Sequence, residues 1–195
     1  MIERLAIPDV FLVAGVQHRD ARGSFSETYR AEALAEAGCD RPFVQENLAR
    51  TGPKGMLRGL HFQREPFAQE KLIQVVAGAM FDVAVDNRPG SPTLGRWVCA
   101  TLRAETSTQI FVPCGFAHGY LTLTEDCAVL YKTGAYYRPD AEGGLAWNDP
   151  ALAIDWPLPA SQISVNARDA SWPPFADVMR GLSELAARPR SPAAV

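Results

Sequence analysis

Histidine and cysteine are scarce in this chain: three histidines and four cysteines occur in 195 residues. The cysteines Cys39, Cys99, Cys114 and Cys127 form no CxxC or CxC pair, so their spacing supports neither a zinc site nor a disulfide framework. They read as reduced thiols, mostly buried. No apolar run approaches the ~20 residues of a membrane span. The opening MIERLAIPDVFLV carries Glu3, Pro8 and Asp9, unlike a secretory signal, and the expected location is the cytoplasm. Basic residues are not clustered. The 19 Lys and Arg are scattered and the net charge is -3, so neither a nucleic-acid nor a membrane partner is expected. No GxGxxG is present to hold a nicotinamide.

What is present fits a globular chain, with 47% apolar and 21% charged residues. The length suits one domain with a small appendage. No repeat, low-complexity block or linker interrupts the first 175 residues. The expected division is therefore a domain over 1–175 followed by a helix and Pro-rich tail over 176–195. Fifteen Gly and fifteen Pro punctuate short runs of Val, Ile, Phe, Tyr and Thr. That rhythm predicts a mainly β fold, a sandwich or an open-ended barrel that holds a small ligand. Strands are expected at Val10–Val13, Phe43–Leu48, Met56–Gln63, Lys71–Ala77, Met80–Val85, Arg96–Leu102, Thr108–Val112, Gly119–Leu123 and Ala128–Thr133. Ala31–Ala37 reads as a short helix stopped by Gly38. Ala176–Ala187 reads as a helix with Val178, Met179, Leu182, Leu185 and Ala186 on one face. The final RPRSPAAV has no periodicity and is expected to fray.

Polar residues interrupt several of these strands. His18 falls in a polar loop, whereas His61 falls on a strand, in Arg58-Gly59-Leu60-His61-Phe62-Gln63. Such a histidine is either a surface or satisfied core residue, or a working group in a pocket. Strict alternation puts Arg58 and His61 on opposite faces, and a bulge at Gly59 would bring both to one cavity. Gln45 and Asn47 share a face that is either a water-facing edge or a sugar-binding interior. Asp82 and Asp86 alternate with Phe81, Val83 and Val85. They read as a half-solvated strand, with a metal or acid–base pair as the alternative. Tyr131, Lys132, Tyr136 and Tyr137 crowd one segment, either as core and rim or as rings that stack or carry a proton. Asp169 follows Arg168 and could orient a histidine. The PxGxxH run Pro113–His118 resembles the second metal motif of cupins. Metal-binding cupins also carry HxH, and His61-Phe62-Gln63 supplies one His only, which argues against a metal site.

Taken together and in order, several stretches resemble the dTDP-4-dehydrorhamnose 3,5-epimerase family. They are Asp20–Glu27, Gln45-Glu46-Asn47, Leu57–Gln63, Gln69–Leu72, Asp82–Asp86, Ser91–Gly95, Pro113–Gly119, Tyr131-Lys132 and Trp147–Pro150. The resemblance implies a cupin-like jelly-roll barrel that works as a homodimer without a metal or other cofactor. It implies a substrate that is a 4-keto-6-deoxyhexose carried on dTDP. It implies His61 as general base, Asp169 as its partner, Tyr131 as proton donor, and Lys71 and His118 near the sugar's C4 oxygen. Arg22, Glu27, Gln45, Glu46, Asn47, Arg58, Glu142 and Arg168 fall where the family binds nucleotide, phosphates or sugar, and Tyr137 where a ring stacks on thymine. The sequence departs from the family at Ala49 and Thr51, where serines are common. The stretch Ile163–Asp169, one residue longer than the usual Leu-Ser-x-Lys-Asp pattern, also differs.

These residue types suit epimerisation next to a ketone. A carbonyl at C4 acidifies the hydrogens on C3 and C5, and inversion needs a base, a stabiliser for the enolate oxygen and an opposed acid. Histidine is a sensible base near neutral pH. A carboxylate on its far nitrogen holds the tautomer. No redox change occurs, so no nicotinamide is needed. The motifs are shared by members that invert one centre or both. A non-catalytic nucleotide-sugar-binding cupin and a metal-dependent cupin enzyme are the alternatives.

Overall fold

A computed structural model describes residues 1–39 and 41–187. The strands are β1 (Ile2–Arg4), β2 (Phe11–Val13), β3 (Gln17–Asp20), β4 (Gly23–Ser26), β5 (Gln45–Thr51), β6 (Met56–Gln63) and β7 (Lys71–Ala77). They continue as β8 (Ala79–Asp86), β9 (Trp97–Arg103), β10 (Gln109–Val112), β11 (Phe116–Thr122), β12 (Cys127–Thr133), β13 (Glu142–Gly144) and β14 (Ser164–Val165). The helices are α1 (Ala31–Glu36), α2 (Ala167–Ala170) and α3 (Phe175–Ala187). Each strand expected from the apolar runs is present, with ends moved by up to three residues. α1 stops as expected, since Gly38 takes φ +99° just past its end.

The strands form two main sheets. One runs β1-β2-β10-β7-β12-β5 and the other β13-β6-β11-β8-β9, with β14 added in parallel beside β6. This is the mainly β, cupin-like jelly-roll architecture expected from the resemblance. β3 and β4 form a separate hairpin. The elements that periodicity did not reveal are β1, β3, β4, β13, β14 and α2. They are two to four residues long, too short to display a period.

Alternation along each strand sorts side chains between two interiors. Ile73, Val75, Met80, Ala84, Ile110, Val112 and Val129 meet between the sheets. On the other face of the second sheet, Leu60, Val83, Val85 and Ala117 pack against Leu145, Leu152, Trp156, Phe175, Val178 and Leu182. Val178 and Leu182 thus lie on the packed face of α3, as its spacing predicts. Leu185, Ala186 and the tail Arg188–Val195, where fraying was expected, lie outside the residues whose side chains or backbone are described.

The inward face of β8 corrects its reading as a half-solvated strand. Asp82 and Asp86 were expected on a half-solvated strand, and both are fully buried. The cause is orientation: Asp82 and Asp86 pair with Tyr120 and Phe116 and share the face of Met80 and Ala84, which packs between the two sheets, while the segment from Leu145 to Leu182 covers the opposite face of Val83 and Val85. Asp86 is satisfied by local partners. It accepts hydrogen bonds from Arg88 at 2.8 Å, Ser91 at 2.5 Å and Thr93 at 2.6 Å. Burial opposes its ionisation, but these donors outweigh burial and hold the carboxyl at about 2. Asp86 therefore fixes the Arg-Pro-Gly-Ser-Pro-Thr turn between β8 and β9 and has no part in a metal or acid–base pair.

Candidate active site

At one end of the space between the sheets the inward positions turn polar. Gln45 and Asn47 of β5, Lys71 of β7, and Tyr131 and Thr133 of β12 face Arg58 and His61 of β6 and His118 and Tyr120 of β11. They enclose a cavity of about 350 Å³. Strand alternation produces this arrangement. Val75 and Val129 lie in the core, and the residues two and four positions along the same faces line the cavity. Gln45 and Asn47 accordingly face the cavity, although β5 is the edge strand of its sheet.

Arg58 and His61 reach one cavity through the bulge expected at Gly59. Tyr120 pairs with Arg58 and His118 with His61, so three steps on β6 oppose two on β11. Gly59 takes φ +128°. A Cβ there would sit 2.6 Å from Gly119 Cα and 2.8 Å from the His118 carbonyl oxygen. Only glycine permits both the turn of the backbone and this approach.

His61 is held from behind by a buried carboxylate. Its Nε2 lies 2.8 Å from Asp169 Oδ1, and Asp169 Oδ2 accepts the Gly59 N–H at 3.0 Å. β14 delivers this group by pairing Ser164 and Val165 with Met56 and Leu57. Asn166 then caps α2, its side chain accepting the Asp169 N–H at 2.7 Å. Burial acts to raise the Asp169 carboxyl. His61, the Gly59 N–H and Arg168 outweigh it and hold the group below the ordinary carboxylate range. Trp172 meets the His61 ring edge-on, with centroids 6.0 Å apart.

A second histidine–carboxylate pair stands beside the first. His118 Nε2 lies 2.8 Å from Asp82 Oδ2, and both side chains are buried. On the opposite sheet, burial raises the Tyr131 phenol against the opposing pull of Arg58, so it stays protonated at neutral pH. Burial pushes the neighbouring Tyr120 up to about 12, again against Arg58. Tyr120 was not singled out from sequence as a site residue, and Asp82 was weighed only in the metal or acid–base alternative to a half-solvated strand. Each could have been found by following a strand face, since Tyr120 lies two residues beyond His118 and Asp82 between the inward Met80 and Ala84.

The remaining expected site residues divide. Gln45 donates to Asn47 Oδ1 at 3.0 Å and accepts the Tyr137 N–H at 3.0 Å. Arg58 Nε donates to Thr51 Oγ1 at 3.2 Å, a hydroxyl contact that the serine common at this position would share. Tyr137, Glu142 and Arg168 line the mouth. Three residues are not brought to this cavity. Arg22 pairs with Asp20 within the β3–β4 hairpin at 2.6 Å, and Glu27 pairs with Arg30 at 2.6 Å. Glu46 alternates outward between Gln45 and Asn47 and pairs with Lys132. His18 lies on β3, opposite Phe25, not in a loop. Among the described residues, no three His, Cys, Asp or Glu side chains lie close enough together to hold a metal ion. No described helix is long and apolar enough to cross a membrane.

Residues 4–177 match the family described as dTDP-4-dehydrorhamnose 3,5-epimerase. The chain is 47% identical over 176 residues to the dTDP-4-dehydrorhamnose 3,5-epimerase of Pseudomonas aeruginosa, covering 89% of this chain and 95% of that one. It superimposes with a TM-score of 0.88 on the Legionella pneumophila dTDP-6-deoxy-D-glucose-3,5-epimerase, solved in complex with dTDP-4-keto-L-rhamnose. That pair shares 39% identity over 99% of each chain. A 3'-monoepimerase from Streptomyces bikiniensis in complex with dTDP-quinovose is also similar, with a TM-score of 0.85 and 36% identity over 92% of this chain and 91% of that one.

Lys71 is the cation deepest in the cavity. Its Nζ donates to the His61 carbonyl at 3.3 Å. Burial lowers its pKa to about 8, with Asp82 and Glu142 opposing the shift. The ammonium is therefore present at neutral pH and is lost as pH rises through about 8. Between that value and the ordinary ~10.4 of lysine the unfolded chain binds the extra proton, so folding stability attributable to this group rises with pH. Lys71→Met should be more stable than wild type near pH ~7, with the difference in urea midpoint shrinking by about pH 10. A difference that stays constant across that range would show that Lys71 titrates as an ordinary exposed lysine.

Proposed function

The chain belongs to the dTDP-4-dehydrorhamnose 3,5-epimerase family and is an isomerase, and from that premise we propose that it inverts C3, C5 or both of a dTDP-4-keto-6-deoxyhexose with His61 as the base. The observation that carries this reading is the pairing of opposites across one cavity. A carboxylate-backed histidine projects from one sheet and a protonated tyrosine from the other. A binding protein has no need of a base and an opposed acid.

In this reading His61 removes the proton alpha to the C4 ketone. Asp169 holds the imidazole orientation and favours the imidazolium that forms. The electrons move onto the C4 oxygen, where Lys71 and His118 meet the developing charge. Donors of this kind lower the barrier by roughly 3–4 kcal/mol each. Asp82 orients His118 as Asp169 orients His61. Tyr131 then returns a proton from the opposite face. Arg58 and Arg168 suit the diphosphate, because the guanidinium fork matches its oxygens. Tyr137, half-exposed at the mouth, suits the base.

Arg22 and Glu27 lie outside the chain's own cavity, on and just after a projecting hairpin. That hairpin exposes Phe25 at 72% and is preceded by Val16 at 64%. Leu48 and Val76 are also exposed, on the outer face of the first sheet. These features support the homodimer, with the hairpin of one chain serving the cavity of its partner. Light scattering that gave the mass of a single chain at micromolar concentration would remove this part of the reading.

The opposed-acid role has a separable signature. Tyr131→Phe keeps the ring and removes the phenol. Deuterium from solvent should still wash into the sugar, because His61 can return what it removes, while net inversion falls by ~10²–10⁴-fold. Equal loss of wash-in and inversion would mean that Tyr131 positions the sugar and is not the acid.

A further inference from the structure

Charged groups form a row from the cavity mouth to His61. Glu142 Oε2 accepts from the Tyr137 hydroxyl at 3.0 Å and from Arg168 Nη1 at 3.2 Å. Arg168 Nε donates to Asp169 Oδ1 at 3.2 Å. That is the same oxygen that meets His61 Nε2 at 2.8 Å, while the other oxygen is committed to the Gly59 N–H. Arg168 and His61 therefore share one carboxylate oxygen, and Glu142 draws Arg168 the other way. The Asp169 side chain is buried and its other oxygen is held by the Gly59 N–H, whereas the Arg168 side chain is 52% exposed.

We propose that Arg168 gates the base. In the empty cavity it divides Asp169 with His61, and the diphosphate of a nucleotide sugar draws the guanidinium away, leaving Asp169 to His61 alone. This rests on the reading of His61 as base and adds the condition under which that base is armed. Two effects act in the same direction. A guanidinium on Oδ1 weakens the carboxylate's hold on the imidazole, and its positive charge disfavours the imidazolium that proton abstraction creates. A diphosphate competes well for it, since two charged oxygens can meet the planar fork.

The other groups around the imidazole are built into the sheets. Lys71 of β7 reaches the His61 carbonyl, and His118 of β11 lies directly across, backed by Asp82. Arg58 precedes His61 on β6, and Tyr131 faces it from β12. Arg168 is the charged neighbour whose head group touches Asp169 and also stands at the mouth. The Glu142–Tyr137 contact ties the same arginine to the residue placed to receive the nucleotide base. Recognition of the nucleotide and arming of the base thereby become one event, and a free keto sugar meets a muted histidine.

The test is solvent deuterium exchange into two substrates, the dTDP-4-keto-6-deoxyhexose and the same sugar without its nucleotide. In Arg168→Gln, exchange into the nucleotide-free sugar should rise several-fold, since Asp169 then serves His61 alone. Exchange into the dTDP sugar should fall, because the phosphate contact is gone. Damage to the structure would slow both. Glu142→Gln, which leaves Arg168 wholly to Asp169, should slow exchange into the nucleotide-free sugar, and that effect should vanish in the Arg168→Gln background. Exchange into the nucleotide-free sugar that is unchanged or slower in Arg168→Gln, undetectable exchange included, overturns the gate. Exchange with either sugar that survives in His61→Asn overturns the assignment of the base instead.

Discussion

One buried carboxylate ties the site together. Asp169 takes the backbone of the β6 bulge on one oxygen and His61 on the other, so a single group fixes both the shape of the strand and the aim of the ring. A buried charge of this kind is tolerable only when fully paired. Its pairing brings the segment after β14 against β6, a contact between residues more than a hundred positions apart. Loss of the carboxylate would free the Gly59 N–H and the imidazole together. Stability and catalysis therefore depend on the same atoms here.

Around that contact the two sheets divide the labour along their length. The far end is apolar and closed by Ile73, Val75, Ile110 and Val129. The near end is polar, with His61 paired to Asp169, His118 to Asp82 and Arg168 to Glu142. Lys71 makes no ion pair among the described residues, and burial lowers its affinity for a proton against the pull of Asp82 and Glu142. A group in that position gains most when negative charge appears nearby, which is what an enolate oxygen would supply. The site is thus short of negative charge at the one point where the reaction would create it.

The strands were legible in the sequence because apolar alternation and glycine–proline punctuation act locally. The bulge at Gly59 was legible for the same reason: Arg58 and His61 could share a face only if a residue were added between them. Asp82 was not legible. Its alternating pattern matches a half-solvated strand, and nothing local shows that the aspartate face turns inward between the sheets while residues beyond Leu145 cover the face of Val83 and Val85. The approach of Asp169 to His61 had no local signature either, because β14 and α2 span two and four residues. Family likeness alone pointed to that pair. The same likeness placed Arg22, Glu27 and Glu46 at the site. Within one chain the hairpin and the outward phase of β5 keep them away from it.

The central claim is that His61, backed by Asp169, abstracts the proton alpha to the C4 ketone. A proton NMR time course with dTDP-4-keto-6-deoxyglucose in deuterated water tests it most directly, with wild type and His61→Ala followed side by side at C3 and C5. Wild type should lose the proton signal at C3, C5 or both as deuterium enters. His61→Ala should slow that loss by at least ~10²-fold, because no enolate forms without the base. Loss of either proton signal at near wild-type rate in His61→Ala would contradict the claim and place the base elsewhere in the cavity.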